Sequence, residues 1–134
     1  MKDISLLIMF TVCTLTMQAQ QSHAVSIIDF VKIKEGKTAE ALYFYENNWK
    51  LYRNIALGKG FIKGYKMLTT KADSIANFDL VLVTEYTDSS QYNQAEARFN
   101  DIIKQERPNG PKLLNGLKPN EFRQNMFTKR VEEE

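Results

Sequence analysis

The fold is decided by the stretch from residue 38 to residue 86, which reads TAEALYFYENNWKLYRNIAL (38–57), GKG (58–60), FIKGYKMLTT (61–70), KADSIAN (71–77) and FDLVLVTEY (78–86). In its first segment, side chains at three- and four-residue spacing share one helical face: Leu42, Tyr45, Trp49, Tyr52 and Ala56. Segments 61–70 and 78–86 are rich in Val, Leu, Phe and Tyr, as strands are. The stretch therefore predicts one long helix followed by two strands.

The segments outside this stretch complete the predicted fold. Residues 24–34 and 122–131 read as strands, and a second helix follows the cap at Asp88 or Ser89. That helix carries an amphipathic stripe of Tyr92, Ala95, Phe99, Ile102 and Ile103. The order strand, helix, strand, strand, helix, strand predicts an α+β, ferredoxin-like βαββαβ fold. Both helices are expected on one face of a four-stranded antiparallel sheet.

The strands are apolar on both faces. One phase of strand 24–34 carries Val25, Ile27, Val31 and Ile33, and the other carries Ile28 and Phe30. In strand 78–86, Val81 and Val83 alternate with Leu80 and Leu82. Helices on one side leave the second apolar face in water, where a large patch promotes association. A homodimer, in which a second copy covers this face, is therefore expected.

Length and charge limit the class of protein. The chain has 134 residues, which suits a single domain. Its 18 basic and 16 acidic residues give a net charge of +2, so there is no electrostatic case for binding nucleic acid.

The first nineteen residues resemble a leader. Lys2 precedes an apolar run over residues 4–17, and Ala19 supplies a small residue at the expected cleavage point. We interpret residues 1–19 as a signal peptide, residues 20–134 as one exported domain, periplasmic or secreted, and expect no membrane contact after cleavage. An uncleaved anchor and a buried first helix are the alternatives. The single cysteine, Cys13, lies in this leader, so the mature chain has no thiol.

Three motifs carry a resemblance to a known superfamily: VKIKEGK (31–37), GFIKGY (60–65) and DLVLVTEYTD (79–88). In these segments the chain resembles the dimeric α/β-barrel superfamily, which includes antibiotic-biosynthesis monooxygenase-like and small stress-response domains. The resemblance implies two sheets facing each other, and a cavity between sheet and helices for a small organic ligand or haem. The haem-degrading branch needs a histidine on the second helix, and residues 89–106 contain none. We therefore expect no cofactor, and no catalytic residue is identified.

The candidate ligand-binding residues are Asp29, Trp49, Arg53, Tyr65, Glu85 and Tyr86. Trp49 belongs to the aromatic stripe, which either packs the core or stacks on a flat ligand at one end. Arg53 lies one turn after Trp49, and it pairs either with Glu46 or with a ligand carboxylate. Tyr65 and Tyr86 each offer a hydroxyl from an otherwise apolar wall.

Asp29 and Glu85 are carboxylates on strand phases that are otherwise apolar. A buried carboxylate is costly unless it is paired. Either the strand edges lie in water, or these acids face a polar cavity or a basic partner such as Lys63, Lys66 or Arg123. In a cavity, burial would raise their pKa values into a range suited to proton transfer.

The motifs of hydrolases, metalloproteases and nucleotide-binding loops are absent from the sequence. No acidic loop has calcium-binding spacing, so no metal site is predicted, and His23 is expected at a flexible terminus. The predicted function is an exported homodimeric domain that binds a small organic ligand. The alternative is a cofactor-free monooxygenase- or isomerase-like enzyme acting on a small aromatic or polyketide-like substrate. A module that only dimerises is the third possibility, and whether the protein is an enzyme stays open.

Overall fold

The computed structural model of the protein describes residues 23–134. The predicted signal peptide (1–19), Cys13 and the first residues of the predicted mature chain lie outside the described residues. Among residues 23–134, no helix is both long enough and apolar enough to cross a membrane.

The long helix is continuous from residue 38 to residue 58 but changes its winding in the middle. It consists of α1 (Thr38–Phe44), a π-helical turn (Tyr45–Trp49) and α2 (Lys50–Gly58). The helix begins at Thr38, and the preceding residue, Lys37, makes no side-chain capping hydrogen bond. After the helix, Gly60 adopts φ +69°, a left-handed conformation that glycine accepts without steric cost.

Two asparagine side chains accompany the π-helical turn. Asn47 Nδ2 donates a hydrogen bond to the Tyr43 carbonyl (2.9 Å), and Asn48 Nδ2 donates to the Phe44 carbonyl (3.0 Å). A widened turn disturbs the regular ladder of backbone hydrogen bonds, and these amides satisfy carbonyls at its start. The amphipathic pattern of the sequence predicts the helix but does not reveal this turn.

The four strands form one antiparallel sheet in the order β2-β3-β1-β4. The strands are β1 (Val25–Ile33), β2 (Gly64–Thr69), β3 (Leu80–Tyr86) and β4 (Arg123–Glu132). The α+β class and the four-stranded antiparallel sheet are as predicted. The arrangement is compatible with a ferredoxin-like fold.

The second helical region is divided. The helix α3 (Ser89–Asn93) is followed by α4 (Ala95–Glu106), and a short α5 (Pro119–Phe122) leads into β4. Asp88 caps α3, because its Oδ1 accepts a hydrogen bond from the Gln91 amide (2.7 Å).

The hydrophobic core lies between the inner face of the sheet and the helices. The strand residues of the core point to this inner face and are all buried: Val25, Val31, Leu80, Leu82 and Tyr86. Its helix residues are Tyr45, Trp49, Tyr52 and Ala56 from the long helix and Ala95 and Ile102 from the second region. The predicted stripes therefore face the sheet as expected.

The outer face of the sheet is apolar and partly exposed. Phe30 stacks on Phe127 with ring centroids 4.4 Å apart, and it meets Phe78 edge-on at 4.9 Å. Leu68 is 51% exposed and Phe127 is 45% exposed. Side chains of this size and exposure on one sheet face form a patch of the kind that binds a partner.

Asn48 connects the long helix to the segment that follows α4. It is fully buried, and its Oδ1 accepts hydrogen bonds from the Lys112 amide (2.8 Å) and from Arg107 Nε (3.3 Å). Its Nδ2 donates to the Lys112 carbonyl (2.8 Å) as well as to the Phe44 carbonyl. The side chain thus binds backbone groups on two separate segments.

We predict that Asn48→Ala lowers the free energy of unfolding by about 2–4 kcal/mol, because the four hydrogen bonds of a fully buried side chain are lost together. Asn47→Ala is the matched control: it removes a single hydrogen bond at a half-buried position and should cost about 1 kcal/mol or less. Urea unfolding of both variants measures the difference. Equal losses would contradict the assigned role of Asn48.

Candidate functional site

A cavity of about 310 Å³ lies between the inner face of the sheet and the long helix. Four of its lining residues are aromatic: Phe44, Tyr45, Trp49 and Tyr52. Four are polar or charged: Asp29, Arg53, Arg123 and Asn125. Because Ile103 and Asn125 are both lining residues and exposed, they mark the rim of the cavity.

The π-helical turn supplies one wall of the cavity. Tyr45 and Trp49 are its first and last residues, and both are buried toward the sheet. Phe44 immediately precedes the turn. A π-helical turn inside an α-helix often occurs at a functional site, and here both of its end residues, Tyr45 and Trp49, line the cavity.

A β-bulge supplies the opposite wall. In the β1–β4 pair, Asp29 faces Thr128 and Val31 faces Asn125, and the register shifts between Phe30 and Val31. The shift inserts one extra residue, Met126, into β4. Strict alternation would place residues 125 and 128 on opposite faces. The bulge therefore allows Asn125 to line the cavity while Thr128 contacts Asp29.

Arg53 is the central cation of the site. Its guanidinium Cζ lies 4.2 Å from the centroid of Trp49 and 4.7 Å from that of Phe99, and its Nε donates to Thr84 Oγ1 at 3.2 Å. Burial lowers the pKa of Arg53 to about 10, against the opposing influence of Tyr86, Asp29 and Tyr45. The group stays charged at neutral pH.

Arg123 is the second cation. Its Cζ lies 5.3 Å from the Phe44 centroid and 5.7 Å from that of Tyr45. Its Nε is buried and has no hydrogen-bond partner among residues 23–134. A buried donor without a partner carries a desolvation cost. Arg123 and Asn125 also line a neighbouring surface pocket of about 410 Å³, so this side of the cavity borders the surface.

Asp29 is the carboxylate of the cavity. Its Oδ1 accepts a short hydrogen bond from Thr128 Oγ1, at 2.5 Å. The neighbouring phenol of Tyr45 is shielded from water, and burial raises its pKa to about 12, with Arg123 opposing the rise. Burial also raises the pKa of Tyr52. Both phenols therefore stay protonated at neutral pH and are hydrogen-bond donors.

The structure brings Asp29, Trp49 and Arg53 together among the six predicted site residues. Tyr65 does not line the cavity but supports it, because its ring meets Trp49 edge-on at 5.5 Å and its hydroxyl donates to Asn54. Tyr86 lies on the inner face, where burial raises its pKa and Arg53 opposes the rise.

Glu85 is on the other side of the sheet. It follows the phase of Val83, and its Oε1 accepts from Lys66 Nζ at 3.2 Å, one of the partners considered from the sequence. Gly64 makes room for it, because a Cβ there would lie 2.8 Å from Glu85 Oε2. Glu85 is therefore remote from the cavity.

Sequence reasoning did not select Phe44, Tyr45, Tyr52, Arg123 or Asn125 as ligand-binding residues. The aromatic stripe contained Tyr45 and Tyr52 but could not show that a space lies beside them. The sequence offers Arg123 only as a possible partner of the strand carboxylates, because the β4 bulge that positions it leaves no signal in the hydrophobic pattern. The alternative that Glu46 pairs with Arg53 is not what the structure shows, since Glu46 binds Lys50 at 2.6 Å.

A second, larger groove of about 680 Å³ lies beside the β1–α1 turn. Two acidic residues line this groove, the exposed Glu35 and the half-buried Asp79. The Asp79 carboxylate accepts hydrogen bonds from the amides of Ile33 (2.8 Å) and Ala72 (3.2 Å). Burial raises the pKa of Asp79, but these hydrogen bonds together with Lys32 outweigh it and lower the pKa. Because Asp79 is engaged in holding the backbone, the groove offers less chemistry than the aromatic cavity.

The residues from 23 to 134 contain no group of three or more His, Cys, Asp and Glu side chains placed to hold a metal ion. His23 is not free at its end of the chain, because its Nδ1 lies 2.8 Å from the Glu133 carbonyl oxygen.

No family model, no curated protein and no solved structure matches the chain. The resemblance to the dimeric α/β-barrel superfamily therefore stays a prediction.

Alkaline unfolding tests the burial of Tyr45 and Arg53. An unfolded tyrosine loses its proton near pH 10.0, whereas folded Tyr45 keeps it to about pH 12. Tyr45 therefore lowers the free energy of unfolding as the pH rises from 10 to 12. Folded Arg53 has a pKa of about 10, lower than that of an unfolded arginine. Arg53 therefore raises the free energy of unfolding as the pH rises above 10. We expect Tyr45→Phe to weaken the alkaline loss of stability and Arg53→Met to steepen it. Urea unfolding across this pH range measures both slopes, and slopes that change in the same direction would contradict the assignment.

Proposed function

We propose that this protein is an exported homodimeric domain that binds a small organic ligand in the aromatic cavity beneath the long helix. The observation that carries the proposal is the grouping of Asp29, Trp49, Arg53 and Arg123 around one space on the inner face. Binding sites commonly combine an apolar or aromatic wall with a few convergent polar groups.

The size of the cavity supports a small ligand. At about 310 Å³ it lies at the lower end of the roughly 300–1,000 Å³ usual for ligand sites. A compound with one or two rings suits this volume better than a multi-ring polyketide does. The aromatic wall offers stacking to a flat molecule, and the polar residues offer hydrogen bonds that fix its orientation.

Its rim gives a direct way to block the cavity. Ile103 is 38% exposed and lines the cavity, so Ile103→Trp should fill the mouth without changing the core. Leu57→Trp is the matched control, since Leu57 is also a partly exposed helix residue (44%) and does not line the cavity. We expect native mass spectrometry of residues 20–134, purified from the natural host, to show a retained small molecule in the parent and in Leu57→Trp but not in Ile103→Trp. Retention by all three proteins, or by none, would contradict ligand binding in this cavity.

We further propose a ferredoxin-like dimeric α/β barrel in which two outer sheet faces pack together. The support is the apolar outer face: Val81 is flanked in the sheet by Phe30 and Leu68, and Phe30 stacks on Phe127. Burying such a face releases about 25 cal/mol per Å² of apolar surface. A second copy offers the same apolar face and so fits it by symmetry.

A lysine at the middle of the outer face tests the dimer. We expect Val81→Lys to shift the protein to a monomer in sedimentation velocity, because a charge would be buried without a partner. Ile75→Lys is the control, since Ile75 is 97% exposed in the loop between β2 and β3. Circular dichroism establishes that both variants are folded. A folded Val81→Lys dimer, or a parent that is monomeric when dilute, would overturn the proposal.

A cofactor-free oxygenase or isomerase is the second candidate function. The observation that favours it is the placement of a carboxylate, Asp29, beside the aromatic wall of the same cavity, where it is available to accept a proton. Oxygen consumption with small hydroxylated aromatic compounds tests the oxygenase version. Consumption that persists unchanged in Asp29→Asn would remove Asp29 from the mechanism.

Export is proposed from the composition of residues 1–19. Amino-terminal sequencing of the protein recovered from its host is the test, and a mature chain beginning near residue 20 is the expected result. Recovery of an intact residue 1 would favour a retained anchor.

A further inference from the structure

We infer that the cavity binds a planar organic monoanion, such as an aromatic carboxylate, whose charged group is held by Arg53 and Arg123. This inference rests on the proposed ligand-binding function and names the chemical class of the ligand. Three features of the cavity lead to it: the net charge of its lining, the hydrogen-bond donors of its two arginines and its aromatic shape.

The charge of the cavity is not balanced by its own lining. Two arginines and one aspartate line it, which leaves a net charge of +1. None of the five salt bridges among residues 23–134 includes Arg53 or Arg123. Buried charges are normally paired, because removing them from water is costly. A ligand with a single negative charge would restore the balance.

The donors of the two arginines are suited to a carboxylate. Arg123 Nε is the one buried side-chain nitrogen or oxygen without a hydrogen-bond partner in the described range 23–134. Arg53 donates from Nε to Thr84, so the terminal edge of its guanidinium is the part left for a ligand. A guanidinium binds a carboxylate through two parallel N–H donors, and such charge-assisted bonds are stronger than neutral ones.

The shape of the cavity favours a flat organic group behind that charge. The side chains of Phe44, Tyr45, Trp49 and Tyr52 provide rings along its wall. A compact inorganic anion such as phosphate would bind the arginines but leave these rings without contact. An aromatic carboxylate satisfies both parts of the cavity, and Asp29 remains available to accept a hydrogen bond from a hydroxyl substituent.

The chain provides its own probe for the test. Trp49 is the single tryptophan of the protein and lines the cavity, so a change in tryptophan fluorescence reports on this site. Benzoate and benzamide have nearly the same shape, but only benzoate carries the charge. We expect benzoate to change the Trp49 emission and to bind at least about tenfold more tightly than benzamide. Isothermal titration calorimetry measures both affinities independently of the fluorescence.

Arginine variants then locate the charge. Arg123→Met is expected to weaken benzoate binding by about tenfold or more while changing benzamide binding little. Arg53→Met should do the same, but it also removes the cation stacked on Trp49, so its fold is checked by circular dichroism. Arg98→Met is the matched control: Arg98 also stacks on an aromatic ring, that of Phe61 at 4.4 Å, and does not line the cavity.

The outcomes separate this inference from the proposed function. If benzoate and benzamide bind equally, or if Arg98→Met weakens benzoate as much as Arg123→Met does, the anion site is overturned and ligand binding stands. If phosphate binds as tightly as benzoate, the site recognises charge alone and the aromatic part is wrong. If no compound binds while the natural-host protein retains no molecule either, the inference and the proposed function fail together.

Discussion

The burial of Arg53 between two aromatic rings is the interaction on which the candidate site depends. A cation taken out of water without a carboxylate partner is unfavourable by several kcal/mol, and stacking on Trp49 and Phe99 offsets part of this, at about 2 kcal/mol for each desolvated contact. The remaining imbalance appears as the lowered pKa of Arg53, which burial brings to about 10. A guanidinium held in this way fixes the position of the Trp49 ring and keeps a charged surface facing the cavity.

The backbone around the cavity departs from regular geometry on both sides. On the helix side, the π-helical turn places Tyr45 and Trp49, and on the sheet side the β4 bulge places Asn125 and Arg123. Each irregularity is stabilised locally: the side chains of Asn47 and Asn48 bind carbonyls at the start of the turn, and β4 stays paired with β1 on both sides of the bulge. Irregularities that meet at one space are expected where function, and not only stability, determines the backbone.

Much of the fold could be predicted from the sequence, and the site only in part. Periodicity predicts the long helix and the strands, and it places Asp29 on the same phase as Val25 and Val31, because residues of one phase share one face. It could not separate Glu85 from the cavity, since its neighbours Val81 and Val83 are as apolar as a core strand although they face outward. Arg123 and Asn125 were missed because a single inserted residue, Met126, changes which face they occupy. The sequence does not predict the buried position of Asn48, because its side chain binds the backbone of Lys112, 64 residues away, and local patterns do not report such contacts.

The most direct measurement of the central claim observes the two arginines themselves. In proton–nitrogen NMR spectra of the domain, the Nε–H signals of Arg53 and Arg123 are assigned by their loss in the Met variants, and benzoate is then added. The account predicts that both signals shift together with one saturable binding curve, while the Nε–H signal of Arg98 on Phe61 stays in place. Signals of Arg53 and Arg123 that stay unchanged at high benzoate concentration, or that move no more than the Arg98 signal, would contradict a ligand site at this cavity.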